Sequence, residues 1–338
     1  MAGETIPRPL WRRHAGTASR ILLGALLLWF LHEKGLLDAH HIGDAIAHHP
    51  FWVASAVVLH GILFLLLGVR WSYVAAAGHL HIPLRTAEKL TFISHFFSTC
   101  LPGNGAGDVV KGFLLSRTGI PFSEILGTMA IDRVAGMTGL FLTWNGCMVA
   151  VAALHPETRP LLLAVVPFTL PVAILLLASL YATASLGRIA VRIADRLPRK
   201  GIVGRLASEA TTTLERMAHC TSRRGTVTIS VTISVGLQLI LLAVALCAAR
   251  SLSLSLSLLE AGAILPLASL ANALPLSPGG LGVGETAASL ALARLGHPAN
   301  TGAELMLVVR LAFTVWAILG GILYMFVSFH RHPADPSK

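Results

Sequence analysis

The chain has 338 residues, of which 54% are hydrophobic and only 12% charged, with a mean hydropathy of +0.73. Soluble domains carry about 25% charged residues, so the composition excludes an ordinary soluble protein and points to a polytopic membrane protein. A net charge of +10 would fit nucleic acid in a soluble chain; here it raises the question of which membrane side holds the cations, and no nucleic-acid partner is expected.

In chain order, Met1–Arg20 is polar and basic, and Ile21–Leu31 runs on without a small-residue cleavage site, so no cleavable signal is expected. Six apolar segments, 19–37, 51–71, 123–154, 160–182, 226–249 and 303–329, are long enough to cross a bilayer core that takes roughly 20 helical residues. Two others, 88–118 and 259–295, are interrupted by glycine-rich turns. Their arms of about 11 to 16 residues reach about 16–24 Å, short of the roughly 30 Å core, which predicts re-entrant hairpins. Irregular backbone at that depth requires protein or a wet cavity around it.

With the N-terminus inside, the inner segments 1–20, 70–89, 111–121, 185–224 and 330–338 hold 4, 3, 2, 9 and 2 lysines and arginines, 20 of the chain's 26. Only Lys34, Arg159, Arg250 and Arg294 fall outside, and Arg133 and Arg310 lie within the membrane. This bias places both termini in the cytoplasm of a multi-pass inner-membrane protein.

The longest inner stretch, 185–224, carries Leu186, Ile189, Ile193 and Leu197 on one helical face and Arg188, Arg192, Arg196 and Arg199 on another. It reads either as a basic amphipathic helix on anionic lipid or as a solvated linker that sets topology. Ser251–Leu258 alternates like a strand but is better placed as a connector before a hairpin. His40, His41, His48 and His49 lack the acid or cysteine that would complete a metal site, and the four cysteines show neither metal nor disulfide spacing.

The two glycine turns belong to a longer internal repeat. Asp108, Arg117, Gly119, Pro121 and Arg133 are matched by Glu285, Arg294, Gly296, Pro298 and Arg310, each pair separated by 177 residues. Gly103, Gly105 and Gly107 match Gly280, Gly282 and Gly284 at the same offset. Three crossings separate the hairpins, so the halves 19–154 and 160–329 are expected to be inverted relative to one another within a single membrane domain. The fold class is therefore all-α integral membrane, six transmembrane helices plus two re-entrant hairpins.

An arginine inside a bilayer costs at least about 2.5 kcal/mol unless an anion or a wet cavity receives it. Asp108, Asp132 and Glu285 are the carboxylates within reach of Arg133 and Arg310, and inverted halves leave open which acid meets which arginine. One reading is purely architectural, with ion pairs pinning the hairpins. The other adds a ligand: a helix start near Asp108 or Glu285 favours an anion, arginine grips phosphate in two places, and glycine permits close approach. On that reading Arg133, Arg310, Asp108, Glu285, Lys111 and Asp132 line a headgroup site with the six glycines. A branched side chain at Gly105 or Gly282 is then expected to block both turn and ligand. No Gly-Lys-Ser/Thr follows either turn and no catalytic arrangement has supporting context, so no nucleotide, no cofactor and no enzymatic activity are expected.

Pro102-Gly-x-Gly-x-Gly-Asp-Val-Val-Lys111, Ile131-Asp-Arg-Val134 and Ser277-Pro-Gly-Gly-Leu-Gly-Val-Gly-Glu285 resemble the membrane domain of lysylphosphatidylglycerol synthases, a flippase-like family with members associated with hopanoid biosynthesis. Lys111 stands where that family commonly has arginine, and Gly284 precedes Glu285 where arginine is frequent. The resemblance implies movement of an anionic phospholipid or a polyprenyl- or hopanoid-related lipid between leaflets. With the chain ending at Lys338, no soluble aminoacyl-transfer domain is expected. A scaffold subunit for a lipid-modifying enzyme and an ion or small-solute transporter remain as alternatives.

Overall fold

The computed structural model describes residues 47–101, 105–154, 156, 159–194, 201–273, 283–298 and 301–326. The predicted crossing 19–37 and Gly103, Gly280 and Gly282 lie outside them. The described residues form ten helices and no strand: α1 (Pro50–Ala77), α2 (Leu84–Cys100), α3 (Ala106–Ser116), α4 (Phe122–Leu154), α5 (Arg159–Ala194), α6 (Gly201–Cys220), α7 (Arg224–Ser251), α8 (Leu258–Ala273), α9 (Val283–Arg294) and α10 (Thr301–Phe326). Helices satisfy every backbone group within the segment, which is what a hydrocarbon solvent demands.

Five helices are long and apolar enough to cross: α1, α4, the Leu162–Thr183 part of α5, α7 and α10. They coincide with the five described segments expected from hydropathy. The chain is an all-helical, multi-pass membrane protein. The 185–224 stretch is largely helical, with α5 running on to Ala194 and α6 folding back against α4 and α5. Arg216 of α6 ties this segment down by donating to the Gly78 carbonyl and pairing with Glu124.

Both interrupted segments form pairs of short helices, α2 with α3 and α8 with α9, each pair in mutual contact. The arms are 17, 11, 16 and 12 residues long. The connector before α8 closes in a reciprocal cap: the Glu260 N–H donates to Ser257 Oγ, and Glu260 Oε2 accepts from the Ser257 N–H.

The 177-residue offset carries α1–α4 onto α7–α10, and α3 and α9 begin at equivalent residues, Ala106 and Val283. Packing follows the same exchange. α1 and α7 lie side by side, α2 packs on α10, and α8 packs on α4, so each hairpin's first arm rests on the last helix of the other half. Gly119 and Gly296, equivalent by the offset, both take positive φ (104° and 87°) just past the ends of α3 and α9. That left-handed conformation favours glycine and explains why the residue recurs at both helix ends.

Candidate functional site

The repeat places one arginine–carboxylate pair in each half. In the first, Arg133 of α4 donates through Nε to Asp108 Oδ2 at 2.8 Å, with Nη2 2.6 Å from the same oxygen. In the second, Arg310 of α10 donates through Nε to Glu285 Oε1 at 2.8 Å, with Nη2 at 2.6 Å. Each acid stands in the first turn of a short helix, α3 or α9, where the helix dipole also favours its charge. The structure thus settles which acid meets which arginine: each pair forms within its own half.

The pairs differ in exposure. Arg133 and Asp108 are 51% and 25% exposed at the side chain, whereas Arg310 and Glu285 are 10% and 15% exposed. Lys111 supports the first pair from the interior, 3.7 Å from Asp108 Oδ1 and 4.0 Å over the Trp71 ring.

Asp132 has a different partner. Arg70 of α1 grips it bidentately, Nε to Oδ1 at 2.8 Å and Nη2 to Oδ2 at 3.1 Å, and donates through Nη1 to Ser234 Oγ at 2.8 Å. Sequence reasoning counted Arg70 and Lys111 with the inner loops, but both are buried inside helices. The signal for Arg70 was Asp132 itself, an intramembrane acid that needed a cation of its own.

Arg70, Arg133 and Arg310 meet at a cavity of about 450 Å³ between the two halves. His60, His95, Gln238, Ser269 and Asn272 supply further polar wall. Leu63, Phe64, Leu140, Leu237, Met306 and Phe313 make up much of the remainder. The wall takes the guanidiniums, while Asp108, Glu285, Asp132 and Lys111 hold or support them without lining the cavity. Sequence reasoning missed His95 and Asn272, although they are equivalent by the same 177-residue offset.

Gly107 and Gly284 act between helices, not in the cavity wall. A Cβ on Gly107 would lie 1.9 Å from the Ser94 carbonyl oxygen, so α2 and α3 approach closely only because no side chain stands there. Its equivalent Gly284 is pressed against the Asn272 amide and donates its N–H to Asn272 Oδ1 at 3.0 Å. Gly105 corrects an expectation: its φ of −86° suits any residue, and a Cβ there meets nothing within 4 Å.

Fold and site together define the class: a helical multi-pass membrane protein with an ion-paired cavity inside its bundle. The chain belongs to the lysylphosphatidylglycerol synthase TM region family, which matches residues 18–321. That membership links the protein to lipid handling. No curated protein and no solved structure matches the chain.

Proposed function

We propose that the protein moves an anionic lipid between the leaflets of the inner membrane. The observation that carries this reading is the convergence of three guanidiniums, Arg70, Arg133 and Arg310, on one cavity. Each is held by one carboxylate, Asp132, Asp108 or Glu285, and Lys111 stands beside Asp108. A guanidinium that faces a cavity within a bilayer favours an incoming anion, and its planar fork suits a phosphate. The cavity falls within the roughly 300–1,000 Å³ range of ligand sites, and its mixed wall fits a molecule with a charged head and an apolar body.

In the mechanism we envisage, the headgroup takes a share of the Arg133 and Arg310 guanidiniums from Asp108 and Glu285, and the acids reclaim them on release. The halves act as an inverted pair. Three candidate spans, α1, α4 and α5, separate the start of α1 from that of α7, so these two equivalent helices run in opposite directions. The hairpins would then enter from opposite faces, with both termini in the cytoplasm.

Purified protein in vesicles of phosphatidylcholine with tail-labelled phosphatidylglycerol tests the activity. Inner-leaflet label should become accessible to an external quencher. Accessibility that stays at the outer-leaflet share overturns the reading, and uptake of a water-soluble anion instead would favour a solute transporter. Topology has its own check in a background lacking the four native cysteines. Asp195→Cys and Asp335→Cys should react only from the cytoplasmic side, and Asp44→Cys only from outside. Labelling of position 195 from outside would dismantle the inverted arrangement.

A further inference from the structure

Each carboxylate at the site is engaged by a cation at close range, whereas two histidines in the cavity wall are not so engaged. His95 of α2 donates through Nδ1 to the Thr91 carbonyl at 2.8 Å. A carbonyl only accepts, so Nδ1 carries the hydrogen and Nε2 is the nitrogen that can take a second proton. The ring is held 4.2 Å from Phe64 and 5.7 Å from Phe313, centroid to centroid. His60 of α1 lies edge-on to the same two phenylalanines, is 4% exposed, and has no hydrogen-bond partner for its buried Nδ1. A purely apolar packing role would be served as well by leucine, which stands at the position equivalent to His60, Leu237.

We propose that His95, with His60 beside it, is a proton-binding site, and that it takes up a proton as an anionic headgroup enters beside Arg133. The inference rests on the lipid-translocation reading and adds to it a second, coupled ligand.

The surroundings set the sign. Charged and titratable groups face His95 from every helix packed around it that carries one: His60 and Arg70 from α1, Asp108 and Lys111 from α3, Asp132 and Arg133 from α4, and Arg310 from α10 with Glu285 of α9 behind it. α7 contributes only neutral Gln238, and α8 only Ser269 and Asn272. In the empty cavity burial disfavours a charged imidazole first, and Lys111 and Arg133 then oppose a second positive charge against the opposite pull of the Thr91 carbonyl and Asp108. An arriving phosphate sets a negative charge and its oxygens beside the ring, and the imidazole can then hold a proton. Linkage is reciprocal, so the proton tightens the anion by the same factor. The position equivalent to His95 holds Asn272, which cannot titrate and is engaged with the Gly284 N–H. At this pair of equivalent positions the titratable side chain is present only in the first half.

The test mixes whole purified protein, in weakly buffered detergent with a pH indicator, with six-carbon-chain phosphatidylglycerol. Wild type should take up protons on binding and bind about threefold or more tightly at pH 6 than at pH 8. His95→Asn, which copies the other half, should bind the lipid with no proton uptake and a flat pH profile; His95→Gln serves if that variant does not fold. Uptake of equal size in the folded variants overturns the proposal, as does lipid binding by wild type without uptake between pH 6 and 8. Inorganic phosphate forms a second arm. Uptake with phosphate but not lipid would keep the proton site and overturn the lipid reading, and binding of neither probe at any pH overturns both.

Discussion

Replacing Arg310 by glutamine should cost about 3–5 kcal/mol of stability, because it leaves Glu285 charged and largely buried without its partner. Glu285→Gln in the same chain should restore most of that loss, since removing both members of a buried pair is often neutral. Lipid movement should stay abolished in the double variant, because the guanidinium that faces the cavity is gone. Denaturant titration in detergent reads the stability, and the vesicle assay reads the movement. Full translocation by the stable double variant would reduce the arginine to architecture. Arg133→Gln should be milder for stability, since half of that side chain is exposed, yet equally damaging to movement. Equal stability losses in the two halves would contradict the asymmetry in their exposure.

Gly107→Ala should prevent normal folding, while Gly105→Ala two positions earlier should change stability by no more than about 0.5 kcal/mol. The added methyl at position 107 meets a backbone carbonyl oxygen at 1.9 Å, which no rotamer can move aside. α2 and α3 would have to separate, an overpacking cost of about 3 kcal/mol or more. Gly284→Ala should fall between them: its obstacle is the Asn272 side chain, which can swing away only by giving up the Gly284 N–H. Size-exclusion profiles and thermal denaturation of the three variants supply the ranking. A well-folded Gly107→Ala beside a misfolded Gly105→Ala would reverse the account of the hairpin.

Much of this architecture is written along the chain. Hydropathy finds α1, α4, α5, α7 and α10 because a spanning helix is a local property of about 20 residues. The 177-residue offset finds the four residues of the two ion pairs, and the pairing, left open by the sequence, joins residues 25 apart in each half. Contacts between distant segments leave no such trace. Arg70 looked like a loop cation because it sits near the end of an apolar run, and its meeting with Asp132 and Ser234 depends on how α1, α4 and α7 pack. Gly105 and Gly107 are indistinguishable in a glycine-rich run; only the position of Ser94 on the neighbouring arm separates a required glycine from a tolerated one. His95 was legible in part, through its alignment with another polar residue, Asn272.

The short arms also have a consequence for the bilayer. α3 and α9, with 11 and 12 residues, are about 16–18 Å long. They nevertheless present bare apolar side chains outward, Val109 and Phe113 on one and Leu290 on the other. Hydrocarbon about 30 Å thick cannot meet so short an apolar flank without deforming. On the proposed re-entrant arrangement, acyl chains beside each arm would tilt or compress, which predicts a thinned patch of membrane next to α3 and another next to α9. If the protein moves lipid as proposed, those patches offer the shortest path between leaflets.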